Sequence, residues 1–474
     1  MRERFFSAGE AADILGIPHH NLIDPAQCLP QRFRVDSREV RSGDAFVAVR
    51  GARTDGHLFI EDAVSRGARA VLLEEEYGRK NADRLRALGV DLFPVADPER
   101  SLAALARAWL DETSARVVGI TGSVGKTTTR EILHAILARH CRTHAAERSH
   151  NTRIGCAMTV LSMPPDCETL ILELGTNRPG EIRELVTYFP VTHALITEVS
   201  PAHLEGLHTL EGVLAAKMEI LESEHLQFLS YNFDNDSLRS ALKSFSESGR
   251  KTLRVARVGA GGDLSVGDAV QTIDAAGIPR LRFLLHWGEE TLEAEAPIFG
   301  RQHAKNAALA CATAHALGLP KAVCAAGIAD LRPPSGRGGI LRAVDGCIVV
   351  DETYNANPAS VSQALKNVLE LELPDGYERV AILGGMRELG DACDHWHEVV
   401  MSRASLFDAV YLVGEEWEGV RTQQGALRGR WGTTADFERD FDRDAHADAV
   451  FLLKGSRYYR MESLLPLLLK EGRR

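Results

Sequence analysis

The chain has 474 residues and a formal net charge of −11 at pH 7, with 45% hydrophobic and 26% charged residues. This length is too great for one hydrophobic core, so roughly two to four domains are expected. The composition is ordinary for a soluble globular protein, and the negative charge argues against a nucleic-acid-binding protein. No apolar run is long enough for a signal peptide or a membrane span, so we expect a cytoplasmic protein without membrane insertion.

Eight cysteines are scattered along the chain without a C-x-x-C pair. This pattern predicts buried, small apolar residues in a reducing compartment, not a disulfide framework or a zinc site.

The first part of the chain, residues 1–95, is predicted to be a small α/β unit without a phosphate loop. Helical spacing covers Ala8–Leu15 and Phe59–Arg66, and Gly43–Val49 is typical of a turn into a strand. Asp36-Ser37-Arg38 offers a carboxylate, a hydroxyl and a guanidinium, which suit sugar hydroxyls and a pyrophosphate. A solvated, capped loop is the alternative, and local spacing alone favours it.

A phosphate-binding loop follows an apolar strand at Val117–Ile120. The loop reads Gly122-Ser123-Val124-Gly125-Lys126-Thr127-Thr128 and leads into a predicted helix that continues to His140, after which His150–Gly155 is predicted to be a polar turn. Loop amides and the helix N-terminus would face nucleotide phosphates, Lys126 would reach the β/γ end, and the Thr127 hydroxyl could ligate Mg²⁺. The alternative is a glycine-rich turn, since Ile120 stands where the common motif has its first glycine. The loop indicates a nucleoside triphosphate but no particular reaction.

Two polar residues lie at or just after the ends of predicted strands. Glu173 ends the strand Leu170–Glu173, where enzymes with this loop hold a metal-binding carboxylate, although a capping or surface role is the alternative. His203 follows the strand Ala194–Thr197 and is either a ligand or a structural histidine.

Lys217 lies on a predicted helix, Leu210–Leu221, whose face is otherwise rich in apolar residues. A lysine in this setting usually extends its ammonium group to solvent. A buried lysine with a depressed pKa could instead react with CO₂ to form a carbamate.

The remaining segments divide at a linker. Alternating patterns over residues 253–298 predict an antiparallel patch, and Gln302–Leu317 predicts a helix that carries His303 and Asn306. Leu331–Gly339 is rich in Pro, Gly and charge, which predicts a domain boundary. Beyond it, strands and helices alternate, as in a doubly wound parallel sheet with ligands at its carboxyl edge.

The predicted fold class is therefore α/β with three domains. Residues 1–95 form the small N-terminal α/β domain, and residues 96–332 form a central P-loop domain, a parallel sheet with helices on both faces. Residues 333–474 form a C-terminal, doubly wound, Rossmann-like domain.

In this order, the segments resemble the Mur ligases of bacterial cell-wall synthesis, from about Val35 to Met461. The most specific part is Asp351-Glu352-Thr353-Tyr354-Asn355-Ala356-Asn357-Pro358, similar to the D-D-S-Y-N-A-N-P of the family member that adds a dipeptide. The other similar stretches are Thr121–Thr128, Glu173–Ile182, Ala202–Glu205, Ala216–Ile220, Leu383–Gly390 and Lys454–Arg457.

The resemblance implies an ATP-dependent ligase of peptidoglycan precursor synthesis. It would join D-alanyl-D-alanine to UDP-N-acetylmuramoyl-tripeptide (UDP-MurNAc-tripeptide) through an acyl phosphate, with two Mg²⁺ ions and a carbamate on Lys217. It would act as a monomer on these small-molecule substrates, without nucleic acid. The third residue of the tripeptide, lysine or diaminopimelate, stays open.

The resemblance also implies roles for individual residues. Lys126, His203 and Lys217 would be catalytic, and Thr127, Glu173, His203 and Lys217 would hold metal. ATP would contact Gly122, Ser123, Val124, Gly125, Lys126, Thr127, Thr128, Asn306, Arg337 and Asp351, with Asp351 at the ribose. The other substrates would contact Ser37, Arg38, Thr54, Asp55, Asn151, Thr152, Asn177, Tyr354, Asn355 and Asn357.

Three positions depart from the family pattern. His303 stands where an asparagine is expected, Glu352 replaces the second aspartate of D-D-S-Y-N, and Gly385 replaces the aspartate of L-G-D-M. These departures concern individual contacts more than the reaction.

Two other functions compete with this interpretation. One is a related amide ligase, such as one that adds glutamate to folate, against which the Tyr354–Pro358 stretch and the N-terminal domain argue. The other is a non-enzymatic nucleotide switch or scaffold, which the intact set Lys126, Thr127, Glu173, His203 and Lys217 disfavours.

Overall fold

The computed structural model describes residues 4–51, 54–146, 149–247, 253–274, 277–373, 376–421 and 425–469. Its strands form three sheets of four, nine and six strands, with helices packed against them. The predicted α/β fold class is confirmed. Within these ranges, no helix is both long and apolar enough to cross a membrane.

The first sheet is parallel, in the order β1-β2-β3-β4. Its strands are β1 (Phe33–Arg34), β2 (Ala45–Val47), β3 (Ala70–Glu74) and β4 (Asp91–Val95), and its helices are α1 (Ala8–Leu15), α2 (Ile60–Ser65), α3 (Glu75–Lys80) and α4 (Ala82–Arg86). The predicted helix at Ala8–Leu15 is confirmed. It begins there because Ser7 and Glu10 form a reciprocal capping box, and it ends at Gly16, whose φ of 67° favours glycine.

The second sheet contains the phosphate loop and has the order β13-β12-β11-β10-β9-β8-β5-β7-β6. After the connecting helix α5 (Pro98–Asp111), its strands are β5 (Arg116–Thr121), β6 (Thr143–Ala145), β7 (Thr169–Glu173), β8 (His193–Ile196), β9 (Phe228–Asn232), β10 (Arg254–Val258), β11 (Leu264–Ile273), β12 (Pro279–Trp287) and β13 (Glu290–Ala296). Its helices are α6 (Lys126–Leu137), α7 (Arg153–Leu161), α8 (Glu181–Tyr188), α9 (Leu204–Leu207), α10 (Leu210–Met218), α11 (Asp236–Glu247), α12 (Gln302–Ala316) and α13 (Lys321–Gly327).

Two predictions for this sheet need correction. The antiparallel patch is formed by β11, β12 and β13, whereas β10 runs parallel to β9 because the chain reaches it through the crossover helix α11. The polar turn predicted at His150–Gly155 ends at Thr152, because the Thr152 hydroxyl accepts a hydrogen bond from Gly155 N at 3.3 Å and so starts α7.

The third sheet has the order β14-β15-β19-β16-β17-β18, and only its edge strand β14 is antiparallel. Its strands are β14 (Gly339–Arg342), β15 (Ile348–Glu352), β16 (Glu378–Gly384), β17 (Ala409–Val413), β18 (Leu427–Trp431) and β19 (Ala449–Lys454). Its helices are α14 (Pro358–Leu369), α15 (Cys393–Ala404), α16 (Thr434–Asp440) and α17 (Leu465–Leu469). The jump in order between β15 and β16, with β19 inserted, marks the doubly wound topology and its ligand-binding edge.

The cysteines follow the prediction only in part. All eight are free thiols, and five are buried, but Cys28 is exposed and Cys141 and Cys393 are half-buried.

One apolar cluster joins the first sheet to the second. Trp109 on α5 is completely buried, donates its indole N–H to Met163 O at 3.1 Å, and packs edge-on against Phe5 with ring centroids 4.8 Å apart. Aromatic rings of this size contribute much of the apolar area that a core buries. The contact therefore ties the N-terminal segment to the nine-stranded sheet.

We expect Trp109→Ala to lower the free energy of unfolding by about 3–5 kcal/mol, because it leaves a large cavity and an unpaired carbonyl. Urea unfolding followed by circular dichroism measures this loss. Leu58→Ala is the control, since Leu58 is 69% exposed and its truncation should change the same free energy by less than about 0.5 kcal/mol. Equal losses in both variants would contradict the role of Trp109.

Candidate active site

A cavity of about 510 Å³ lies where the carboxyl ends of the second and third sheets face each other. The carboxyl ends of parallel strands are the edge at which open α/β sheets bind ligands. The predicted residues that line the cavity are Ser123, Val124, Gly125, Lys126, Thr127, Thr128, Asn151, Glu173, His203, Asn306, Arg337, Tyr354, Asn355 and Asn357. The structure thus brings together residues from both halves of the predicted site.

The phosphate loop owes its path to two glycines. Gly122 has a φ of 145°, and a Cβ placed on it would lie 2.0 Å from Thr197 Oγ1. Gly125 has a φ of 87°, and its Cβ would meet Asn306 Oδ1 at 2.8 Å. Helix α6 starts at Lys126, directly after the loop, so its unpaired amides point toward the cavity.

Glu173 lies beneath the loop with almost no exposure. Its Oε2 accepts a hydrogen bond from the Thr127 hydroxyl at 3.0 Å, and its Oε1 pairs with Arg130 Nη1 at 2.9 Å. The Thr127 hydroxyl also lies 2.9 Å from Ser149 Oγ. A hydroxyl and a carboxylate are therefore adjacent at the start of α6, and hard cations such as Mg²⁺ prefer such oxygen ligands.

Lys126 lies at the floor of the cavity and donates to Gly122 O at 2.6 Å. Burial lowers the pKa of Lys126 to about 8, since the negative charge of Glu173 only partly offsets the loss of water and the positive charge of Arg337. The ammonium group of Lys126 therefore has no close anionic partner, and a bound phosphate would be one.

Lys217, near the end of α10, does not extend its amine to solvent. Its side chain is almost fully buried, and its Nζ has no hydrogen-bond partner among the described residues. Burial, helped by the positive charge of Lys126, holds the pKa of Lys217 well below its usual range. A buried, unpaired ammonium is costly, so the neutral amine is favoured. Lys217 does not itself line the cavity.

His203 makes a contact between the second and third sheets that the sequence did not indicate. Its Nδ1 lies 2.5 Å from Glu388 Oε2, and Glu205 N donates to Glu388 O at 3.2 Å. Because a carboxylate only accepts, Nδ1 carries the proton in the neutral ring, and the lone pair of that tautomer lies on Nε2. His203 and Glu388 both have positive φ, 54° and 64°, which non-glycine residues adopt only when their surroundings impose it.

The Arg337 segment is ordered by the third sheet. The Arg337 guanidinium lies 4.0 Å from the centroid of the Tyr354 ring, on the wall of the cavity. Asp351 does not line the cavity. Its carboxylate accepts from Gly336 N at 3.2 Å and from the Thr353 hydroxyl at 2.6 Å, so it fixes the turn that presents Arg337.

The first sheet contributes no predicted residue to this cavity. Ser37 is buried, Arg38 pairs with Asp36 at 2.6 Å, and the Asp55 carboxylate accepts from the ring of the buried His57 at 2.6 Å. Outside the cavity too are Thr54, which is exposed, Thr152, which caps α7, and Asn177, which is exposed beside Glu181.

Several cavity residues were missed from the sequence. Glu198 accepts from Asn232 Nδ2 at 2.7 Å, and Lys305 pairs with Asp234. Lys454 pairs with Glu352 at 3.1 Å, which shows that the departure at Glu352 keeps a carboxylate in the wall. Position after a predicted strand was the available signal for Glu198 and Lys454. For His303, burial lowers the pKa to about 3, and its ring lies 3.2 Å from Asn306 Nδ2 as a neutral acceptor.

Comparison with known proteins identifies the relatives of this architecture. Family models match residues 32–110 ("Mur ligase family, catalytic domain"), 120–314 ("Mur ligase middle domain") and 336–457 ("Mur ligase, glutamate ligase domain"). The UDP-N-acetylmuramoyl-tripeptide–D-alanyl-D-alanine ligase of Treponema pallidum (strain Nichols) is 32% identical over 453 residues, or 92% of this chain and 93% of that protein. The chain belongs to the Mur ligase family.

Solved structures extend the similarity within the Mur ligases. A crystal structure of MurF from Acinetobacter baumannii has a TM-score of 0.80 and 26% identity, covering 98% of this chain and 99% of that one. MurF from Thermotoga maritima in complex with ADP has a TM-score of 0.75 and 28% identity, covering 94% and 98%. The predicted family resemblance is confirmed over nearly the whole chain.

We expect Gly122→Ala in this Mur ligase to weaken ADP binding by about 100-fold. A methyl group there collides with Thr197, and a shift of about 1 Å in a phosphate-positioning loop costs this much. Isothermal titration calorimetry measures the affinity. Gly16→Ala is the control, because Gly16 also has positive φ but no atom within 4 Å of its Cβ position. A Gly122→Ala protein that binds ADP normally would contradict this account of the loop.

We expect ADP binding near pH 8.5 to take up protons. In the free protein, Lys126 with a pKa of about 8 is mostly neutral at that pH, and a bound phosphate favours its ammonium form. Calorimetric titrations in buffers of different ionisation enthalpy measure the uptake, which should reach about three quarters of a proton per ADP at pH 8.5 and fall to about a tenth at pH 7. Lys126→Arg, which is always charged, should lose this component. Unchanged uptake in Lys126→Arg would assign the protons to another group.

Proposed function

We propose that this chain joins D-alanyl-D-alanine to UDP-MurNAc-tripeptide at the expense of ATP, a step in peptidoglycan precursor synthesis. The observation that carries the proposal is the shared cavity. The phosphate loop of the second sheet and the Tyr354–Asn357 segment of the third sheet face each other across it. Relatives with this activity in their names match 92% of the chain. Because ATP is the energy source, the proposal places the reaction in the cytoplasm.

The reaction consists of two displacements. A carboxylate oxygen of the tripeptide attacks the γ-phosphorus of ATP, the bond from that phosphorus to the bridging β,γ-oxygen breaks, and ADP and an acyl phosphate form. The neutral amine of the dipeptide then attacks the acyl carbon, the carbon–oxygen bond to phosphate breaks, and the amine loses a proton as phosphate leaves. Negative charge accumulates in both steps, so fixed cations and amides supply much of the stabilisation.

The residues of the phosphate loop would bind the nucleotide. The amides of Gly122–Thr128 and the ammonium of Lys126 would hold the β- and γ-phosphates, since both lie at the N-terminus of α6. Asn306, in contact range of Gly125, would lie toward the adenosine. Arg337, stacked on Tyr354, would reach the phosphates, while Asp351, our proposed ribose ligand, would first have to exchange its present partners.

The side-chain oxygens of the cavity fit one Mg²⁺ ion, and a second ion would need the carbamate on Lys217. Among the described residues, no group of three or more His, Cys, Asp and Glu side chains could hold a metal ion. Thr127 and Glu173 would hold one Mg²⁺ with phosphate oxygens, and His203 and Lys217 would help to hold a second. Bound there, Mg²⁺ would neutralise phosphate charge. An ammonium group at Lys217 would repel a cation, whereas a carbamate would supply a negative charge. The neutral amine is the form of lysine that reacts with CO₂, and the buried, unpaired Nζ of Lys217 favours this form.

Each of the three predicted domains would bind a different substrate. Residues 1–95 would hold the UDP-sugar through Ser37, Arg38, Thr54 and Asp55, and residues 96–332 would hold ATP. Residues 333–474 would close over both and help to bind the dipeptide. Asn151, Thr152, Asn177, Tyr354, Asn355 and Asn357 are the proposed contacts to the peptide part. Both walls of the cavity come from one chain, so a monomer suffices.

The decisive experiment measures phosphate release from ATP with UDP-MurNAc-tripeptide, with and without D-alanyl-D-alanine. We expect release that depends on both substrates, and product formation confirmed by mass spectrometry. Tripeptides that end in lysine and in diaminopimelate should be compared, because the preferred one identifies the natural substrate. Nucleotide binding without phosphate release that depends on these substrates would favour a nucleotide switch or scaffold and would contradict the proposal.

We expect Lys217→Ala to lower kcat by at least about 100-fold, because the second metal loses an anionic ligand, and we expect high bicarbonate to restore part of the activity. Lys217→Arg is the matched control, since it keeps a long, nitrogen-bearing side chain but cannot form a carbamate and should not respond to bicarbonate. Nuclear magnetic resonance with isotopically labelled bicarbonate should detect the carbamate in the unaltered protein only. Full activity of Lys217→Ala would eliminate this role.

A further inference from the structure

Gly385, directly after β16, has a carboxylate in the space where a side chain would begin. A Cβ placed on Gly385 would lie 2.2 Å from Glu416 Oε2 and 3.2 Å from a ring carbon of Tyr459. Glu416 lies in the short turn that follows β17, the neighbouring strand. The missing side chain at position 385 therefore makes room for a carboxylate that comes from a different part of the sheet edge.

Glu416 uses that position to hold Arg387. Its Oε1 lies 3.0 Å from Arg387 Nη1, and its Oε2 accepts a hydrogen bond from the Tyr459 hydroxyl. The Arg387 guanidinium also stacks on Tyr458, 4.4 Å from the ring centroid. The Glu416 side chain is only 14% exposed, whereas that of Arg387 is 47% exposed. The arginine is thus fixed from two sides while much of its fork still faces solvent.

Arg387 belongs to the wall of the cavity and sits beside the contact that joins its two halves. The next residue, Glu388, bonds His203 from the second sheet. Of the other five cations of the wall, Lys126 and Arg337 lie close enough together for Arg337 to lower the pKa of Lys126, Lys454 is buried against Glu352, and Lys305 and Arg457 pair with Asp234 and Glu462. Arg387 differs from them because it adjoins the Glu388–His203 contact and is held by both a carboxylate and an aromatic ring. Arg387 is therefore available for an anion other than the triphosphate.

We propose that Arg387, positioned by Glu416 and Tyr458, binds the terminal carboxylate of the incoming dipeptide. This inference rests on the proposed function and names the group that recognises its second substrate. A guanidinium matches a carboxylate with two parallel hydrogen bonds, which a compact ammonium cannot make. An extended dipeptide spans only about 7 Å, so a fixed carboxylate also fixes the amine, and proximity raises the rate of its attack.

The test compares D-alanyl-D-alanine with its C-terminal amide, which lacks the negative charge. In the unaltered protein, we expect the amide to have a KM about 10- to 100-fold higher than the dipeptide. Arg387→Gln should raise the KM of the dipeptide by a similar factor and leave the KM of the amide nearly unchanged. The KM values of ATP and UDP-MurNAc-tripeptide should change by less than about 3-fold. Arg387→Lys should recover only part of the loss.

Two further variants keep the test decisive. Glu416→Gln should raise the KM of the dipeptide but not that of the amide, as Arg387→Gln does. This variant replaces Arg387→Gln in the test if circular dichroism shows that Arg387→Gln is unfolded. Arg439→Gln makes the same charge change on an exposed arginine of α16 and should alter neither KM. Equal losses for dipeptide and amide in Arg387→Gln would make its role structural and overturn the inference. An unaltered protein that shows no dipeptide-dependent phosphate release would instead overturn the proposed function.

Discussion

The phosphate loop depends on a buried carboxylate beneath it. Glu173 joins the end of β7 to the first turn of α6 through the Thr127 hydroxyl, and Arg130, one turn further along α6, balances its charge. A buried carboxylate is tolerated only when such partners replace water. Because the same Thr127 and Glu173 oxygens are the proposed metal ligands, the contact that orders the loop also defines where a cation would enter. Local structure and proposed chemistry therefore share one pair of side chains.

The two halves of the cavity meet through a strained contact. His203 and Glu388 hold each other with both backbones in a region that disfavours side chains, and Glu205 adds a backbone hydrogen bond across the same junction. Strain of this kind persists where surrounding structure over-determines it, and it is common at functional sites. The Glu388 carboxylate also selects the tautomer of His203 and so directs its free nitrogen. A residue of the third sheet thereby prepares a proposed metal ligand of the second.

Much of this architecture could be predicted from sequence, and the exceptions have physical causes. The loop from Gly122 to Thr128, the strand that ends at Glu173 and the helix at Ala8–Leu15 carry their signals in consecutive residues, and all lie where expected. The first residues of α7, 153–155, are predicted as part of a turn because Thr and Gly occur both in turns and at helix starts, and only the capping contact distinguishes the two. The Asp351–Gly336 contact and the His203–Glu388 pair arise from packing between segments 15 and 185 residues apart in the chain, which no local pattern encodes.

The charge of the cavity shows why such distant contacts matter. Its wall contains six Lys and Arg residues and four Glu residues, an excess of two positive charges in a chain whose net charge is −11. A chain of that charge repels anions at long range, so anionic substrates must be attracted locally, where a low dielectric constant strengthens the field of each cation.

Four of the six cations of the cavity wall are paired with carboxylates: Lys305 with Asp234, Arg387 with Glu416, Lys454 with Glu352 and Arg457 with Glu462. Among the described residues, Lys126 and Arg337 have no carboxylate partner within salt-bridge range, and Arg337 lies close enough to Lys126, at the phosphate loop, to lower its pKa. These two cations therefore mark the part of the wall where a phosphate would be stabilised most strongly, whereas Arg387, although paired, keeps a half-exposed guanidinium that can still meet an anion.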